Sequence, residues 1–146
     1  MKAEIKPRIN LEGRTPLQDV LPLETPMVLF VDPSSACNFQ CTFCPTGDRE
    51  LISATHRYQG RMDYNLFTKI IDDLAEFPEP IKVLRLYKDG EPFLNRDLGR
   101  MIAYARESTN VLYIDTTTNA SLLTPARSAE VIDAGKSGSS GRGWSK

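Results

Sequence analysis

The chain has 146 residues, a formal net charge of −1, and 40% hydrophobic and 25% charged residues. These values are ordinary for one soluble domain, and the balanced charge argues against a nucleic-acid or membrane partner. The sequence has no apolar run near the roughly 18 residues of a membrane helix, and its N-terminus lacks the apolar core of a signal peptide. We therefore expect a cytoplasmic location.

The N-terminal part of the chain changes character at Met27. Residues 1–26 are polar and contain prolines, which predicts an extended leader. The apolar run 27–31 predicts a strand buried on both faces and leads directly into the cysteines. The polar segment 45–61, with two glycines, predicts a long loop.

Two helices and two strands are predicted to alternate after this loop. A helix is predicted to begin after Asp63, a good N-cap residue, with its apolar residues at helical spacing. The apolar runs 81–87 and 111–114 predict the second and third strands. Asn95, between these strands, is predicted to cap the second helix.

The last predicted helix begins at Thr124-Pro125, a capping residue followed by proline at the first helical position. Gly135 is predicted as its C-terminal cap. Residues 136–146 are rich in Gly and Ser without apolar periodicity, which predicts a disordered tail. The predicted core domain thus covers residues 27–135, and we expect it to be part of a larger domain.

Alternating strands and helices predict an α/β fold with parallel strands joined by right-handed crossovers. In such folds the chemistry is located at the carboxyl ends of the strands. Each of the three predicted strands is followed by a polar motif, so these motifs are predicted to lie on one edge of the sheet.

The first of these motifs contains Cys37, Cys41 and Cys44, with the spacing C-x3-C-x2-C. Three cysteines crowded into eight residues cannot form a self-contained disulfide framework, and in a reducing compartment they favour metal or redox chemistry. Thiolates are the usual ligands of iron–sulfur clusters, and three of them leave one iron open for chemistry. Two alternatives remain: a Cys3His zinc site completed by His56, and three unrelated thiols.

This octapeptide resembles the signature of the radical S-adenosylmethionine (radical SAM) superfamily, C-x3-C-x-aromatic-C, with Phe43 in the aromatic position. The resemblance implies a [4Fe–4S] cluster with each cysteine on one iron and S-adenosylmethionine (SAM) on the fourth. It also implies reductive cleavage of SAM to a 5′-deoxyadenosyl radical, with electrons from a flavodoxin- or ferredoxin-like donor. Phe43 would pack beside the cluster and the adenine.

Gly90 and Glu91, after the second strand, resemble the family's Gly-Gly-Glu motif, with Asp89 in place of the first glycine. The resemblance implies that this segment engages the SAM amino group, which suits a carboxylate and a glycine that allows close approach. The alternative for Asp-Gly-Glu-Pro is a surface turn.

Thr118 and Asn119, after the third strand, are similar to the family's Thr-Asn-Gly, with Ala120 in place of glycine. Their hydroxyl and amide groups would face ribose or substrate. The equally weighted alternative is a polar strand end followed by a turn.

The resemblance covers about three of the six strand–helix units common in the family, which implies a partial (β/α) barrel. Gly60-Arg61-Met62 and the segment 122–125 look like the branch that includes SPASM-type enzymes. No cysteine follows Cys44, so no auxiliary cluster is expected.

Our first hypothesis is therefore a radical SAM enzyme represented by its N-terminal half, with no catalytic residue or substrate assigned. The second is a non-catalytic iron–sulfur or zinc-binding fragment. The third is an unstable truncation product without independent function.

Overall fold

A computed structural model of the chain describes residues 16–136. Three parallel strands form one sheet in the order β1-β2-β3, which confirms the predicted α/β architecture. The strands are β1 (Val28–Phe30), β2 (Ile81–Arg85) and β3 (Val111–Asp115). The predicted leader and tail lie partly outside the described residues, at 1–15 and 137–146.

The α-helices are α1 (Arg49–Ala54), α2 (Tyr64–Asp73), α3 (Leu98–Glu107) and α4 (Pro125–Lys136). Short 3-10 turns occur at Leu17–Asp19, Pro45–Gly47, Leu74–Glu76 and Pro92–Leu94. Asp63 caps α2 as predicted, because its Oδ1 accepts hydrogen bonds from the N–H groups of Asn65 (2.8 Å) and Leu66 (3.3 Å). Thr124 caps α4 through the N–H of Arg127 (3.2 Å).

The hydrophobic core lies between one face of the sheet and helices α2 and α3. Its fully buried side chains come from both layers and are Phe67, Ile71, Ile81, Leu84, Leu86, Leu98, Met101 and Ala105. On the other face, Phe30 is 46% exposed and Tyr113 is 55% exposed. The first strand is therefore covered on one face within residues 16–136, although we expected burial on both.

Three local predictions were wrong. Asn95 does not cap α3, which begins three residues later; its buried amide instead donates to the carbonyls of Pro33 (2.9 Å) and Met62 (3.0 Å). Gly135 lies inside α4, because the helix continues to Lys136. The expected loop 45–61 contains a 3-10 turn and α1, whose start is capped by a polar side chain that the hydrophobic pattern does not reveal.

Within the described residues, no helix combines the length and the apolar character that a bilayer-spanning segment needs.

Candidate functional site

The three polar motifs meet at the carboxyl ends of the strands. Gly90-Glu91 follows β2, Thr118-Asn119 follows β3, and the cysteine loop follows β1. The N–H of Glu91 donates to the carbonyl of Ala36 (2.9 Å), immediately before the first cysteine. The Glu91 carboxylate accepts from the Thr118 hydroxyl and the Asn119 N–H, both at 2.7 Å. One residue thus joins all three segments.

The cysteine loop is compact, and its three thiols are free and half-buried. The N–H of Cys44 donates to the carbonyl of Cys41 (3.0 Å), and the N–H of Gly47 donates to the carbonyl of Cys44 (2.9 Å). A Cβ on Gly47 would lie 2.8 Å from the Cys41 carbonyl oxygen, so only glycine allows this approach. The Cys37 sulfur accepts the N–H of Phe39 at 3.4 Å.

Phe43 projects from this loop and is 89% exposed. An aromatic side chain with so much exposed surface contributes little to the core of the described residues. Packing beside a cluster and adenine, which the resemblance implied, stays a prediction for this residue.

Glu91 is 1% exposed, and its carboxylate accepts three hydrogen bonds from the protein. Besides the two donors from the third strand's loop, its Oε1 accepts the N–H of Phe93 at 2.9 Å. A buried carboxylate is stable only when hydrogen bonds replace its hydration, and three donors achieve that here. The carboxylate that the sequence suggested for SAM therefore also organises the site.

Gly90 lies directly against the backbone that leads into the cysteines. A Cβ at this position would overlap the carbonyl oxygen of Ser34 and lie 2.6 Å from that of Ala36. The glycine is thus required for the close approach of the second strand's end to the cysteine loop.

The loop after β3 is held by its own side chains. Ala120 has a left-handed φ of 64°, which explains why a glycine at this position is favourable. Its N–H donates to the Thr118 hydroxyl (3.0 Å). The Asn119 amide nitrogen lies 3.0 Å from Asn38 Oδ1 and 3.8 Å from the Cys37 sulfur.

Comparison with known proteins decides the family. A model of the radical SAM superfamily matches residues 31–138, a span that contains all three motifs. The chain belongs to the radical SAM superfamily.

Two curated relatives support the assignment. The chain is 32% identical over 107 residues to the tungsten-containing aldehyde ferredoxin oxidoreductase cofactor-modifying protein of Pyrococcus furiosus, covering 73% of this chain and 28% of the relative. It is 31% identical over 86 residues to the Fe-coproporphyrin III synthase of Methanosarcina barkeri, covering 54% and 20% respectively. The chain thus spans less than a third of each of these relatives.

A solved structure shows the same fold. BtrN, crystallised in complex with AdoMet and 2-DOIA, superposes with a TM-score of 0.60 at 23% identity, covering 75% of this chain and 42% of that chain. At this level of identity the likeness concerns the fold alone.

The cysteine loop fits the cluster that radical SAM proteins carry. Within residues 16–136 no three His, Cys, Asp or Glu side chains converge on a position for a single metal ion. A [4Fe–4S] cluster has a different requirement, because each thiolate ligates its own iron. The three thiols are free and half-buried on one loop, and they are the ligand type that such clusters use.

Asp32 is a site feature that sequence reasoning did not assign. It lies after β1, next to the buried Val31, and its Oδ2 accepts the N–H of Asp89 at 3.2 Å, while Oδ1 is buried without a partner. Arg57 pairs with the Asp89 carboxylate at 3.1 Å. Burial is the main cause that raises the pKa of Asp32, and repulsion from the Asp89 carboxylate raises it further. The hydrogen bond from the Asp89 N–H and the positive charge of Arg57 lower the pKa and offset part of this rise.

We expect Asp32→Asn to stabilise the protein at pH 7. A folded-state pKa above the usual value of 3.8 means that stability is greatest below that value and decreases as the pH rises through the folded-state pKa. The amide removes the charge that burial disfavours, so stability at pH 7 should rise, and the gain should be modest because Asp32 is only half-buried.

Thermal unfolding between pH 4 and pH 8 measures this effect. The exposed Glu79→Gln serves as the control for removing one carboxylate, and it should leave the midpoint unchanged. An Asp32→Asn midpoint below that of the parent at pH 7 would contradict the expectation.

Proposed function

We propose that this chain is the cluster- and SAM-binding part of a radical SAM enzyme. Cys37, Cys41 and Cys44 hold a [4Fe–4S] cluster and leave one iron open for SAM. The observation that carries the proposal is the C-x3-C-x2-C loop of free thiols at the strand ends, hydrogen-bonded through Ala36 to Glu91. The predicted core domain, residues 27–135, is the part that performs this role.

The surrounding residues are assigned to SAM. Gly90 and Glu91 bring the end of β2 against the cysteine loop, and Thr118 and Asn119 complete the edge from β3. Phe43, exposed beside the third cysteine, has the surface needed to cover an adenine.

When bound, the reduced cluster supplies the electron that cleaves SAM to methionine and a 5′-deoxyadenosyl radical. The chain's own residues position the cysteine loop, through the hydrogen bond from the Glu91 N–H to the Ala36 carbonyl. A flavodoxin- or ferredoxin-like protein is the proposed electron donor, and the proposed location is the cytoplasm. The curated relatives are named for different reactions, which supports assigning the shared segment to the cofactors and not to substrate choice.

Anaerobic reconstitution with iron and sulfide tests the proposal. We expect about four irons per chain, and an electron paramagnetic resonance (EPR) signal of the reduced protein that changes when SAM is added. Cys41→Ala should lower the iron content to about a tenth or less, because even outer-sphere changes at metal sites cost about 10–100-fold in affinity.

Thr42→Ala is the matched control, because Thr42 is exposed and lies between two of the cysteines. It should retain the iron. A cluster whose signal ignores SAM would favour a non-catalytic iron–sulfur protein. Stoichiometric zinc without a cluster would refute the assignment of Cys37, Cys41 and Cys44.

A further inference from the structure

We propose that Asn119 tunes the cluster through an N–H···S hydrogen bond to Cys37. The inference rests on the proposed function, because it requires Cys37 to be a cluster ligand. It assigns Asn119 a role in addition to the contact with SAM or substrate that the motif suggested. Asn119 is a positioning residue here, since it acts through the cysteine.

The orientation of the Asn119 amide is determined by its neighbours. Its Oδ1 accepts the backbone N–H of Ser121 at 2.9 Å and the Ser121 hydroxyl at 2.7 Å. A backbone N–H can only donate, so the oxygen must face Ser121 and the nitrogen must face the cysteine loop. There the two amide hydrogens are directed to Asn38 Oδ1 (3.0 Å) and to the Cys37 sulfur (3.8 Å).

Three side chains form a closed ring that holds this geometry. Asn119 donates to Asn38, the Asn38 amide donates to the Ser121 hydroxyl at 2.8 Å, and that hydroxyl donates back to Asn119. A cyclic arrangement in which each group both donates and accepts is mutually strengthening. The amide is therefore preorganised toward the sulfur.

Glu91 anchors both partners of the contact. Its carboxylate accepts the backbone N–H of Asn119 at 2.7 Å, and its own N–H donates to Ala36, the residue before Cys37. Because Glu91 is buried, these two bonds set the separation between the amide and the sulfur. The cysteine loop and the β3 loop, 82 residues apart in sequence, are thus held in register.

A hydrogen bond to a ligating sulfur stabilises the reduced state of a cluster more than the oxidised state, because reduction adds negative charge that the sulfurs share. Cys37 already accepts the Phe39 N–H, so the Asn119 amide is a second donor to the same sulfur. Loss of this donor should make the cluster harder to reduce.

The test is an EPR-monitored redox titration of the reconstituted full chain without SAM. Asn119→Ala should load iron and sulfide like the parent, but its reduction equilibrium should shift about twofold to tenfold toward the oxidised state; tenfold corresponds to about 59 mV for one electron. Asn119→Asp, which replaces the donor by a negative acceptor, should shift it further. Asn119→Gln, which keeps an amide donor, should have a midpoint potential between those of Asn119→Ala and the parent.

Asn65→Ala, an exposed asparagine at the start of α2, is the control and should titrate like the parent. An Asn119→Ala cluster with the parent's midpoint potential overturns the inference and leaves the proposed function intact. If Asn119→Ala fails to load, Asn119→Asp, which keeps the shape of the side chain but removes the donor to Cys37, becomes the deciding variant, and an unchanged midpoint potential there overturns the inference. A parent chain that loads no cluster refutes both.

Discussion

Glu91→Ala is expected to lower the free energy of unfolding by about 3 kcal/mol, the largest stability effect that we expect of a side-chain deletion at this site. The substitution removes the acceptor of the Phe93 N–H, the Thr118 hydroxyl and the Asn119 N–H. The hydroxyl can rotate to another partner, but the two backbone donors cannot. Each buried donor without a partner costs about 1–3 kcal/mol.

Urea unfolding followed by circular dichroism measures this loss, which corresponds to about 10 °C in thermal midpoint. Glu91→Gln keeps the shape but places an amide where Asn119 needs an acceptor, so it should be intermediate. Glu79→Ala, at an exposed carboxylate, should be close to the parent. If Glu91→Ala unfolds at the parent's urea concentration, the carboxylate is not the link between β2 and β3 that we describe.

Gly90→Ala should cost at least about 3 kcal/mol and disorder the cysteine loop. The new methyl group would overlap the Ser34 carbonyl oxygen and crowd that of Ala36. Both are backbone atoms of the segment that follows β1, so relief requires the strand end and the loop to separate. The cost is at the upper end for overpacking because no flexible side chain can move away.

Gly99→Ala is the matched control. A Cβ there meets the side chain of Glu130, an exposed α4 residue that can move, and alanine also favours the α3 helix by up to about 1 kcal/mol. Two measurements distinguish Gly90→Ala from Gly99→Ala. They are the urea concentration at the unfolding midpoint and the rate at which a thiol reagent modifies the three cysteines. Gly90→Ala should show a lower midpoint and faster modification, and cysteines that react at the parent's rate would contradict the proposed contact.

Much of the fold was predictable because its determinants are local. Continuous apolar runs identified all three strands, and Asp63 and Thr124 marked helix starts because capping depends on residues two or three positions away. Asn95 was misassigned by the same logic. Its amide nitrogen donates to Pro33 and Met62, distant in sequence, and its Oδ1 accepts the N–H of Asp97, which itself occupies the N-cap position of α3.

The site was predictable at the level of motifs and not of contacts. Parallel strands place their carboxyl ends on one edge, which was sufficient to bring the cysteines, Gly90-Glu91 and Thr118-Asn119 together. The partners of Glu91 were not predictable, because a glutamate in a polar turn sequence gives no signal of its burial. Asp32 was missed for a related reason: its contact with the Asp89 N–H and the burial of its other oxygen join positions 57 residues apart and belong to no motif.

The amino-acid sequence by itself determined the cysteine motif, the α/β alternation and the edge of the sheet where chemistry is located. These depend on residue type, short-range spacing and strand direction. The tertiary structure alone decided that Glu91 is a buried tie between strands and that Asn119 faces Cys37 and not open solvent. Both outcomes depend on atoms more than 25 residues apart, whose approach is set by how the strands and loops pack together.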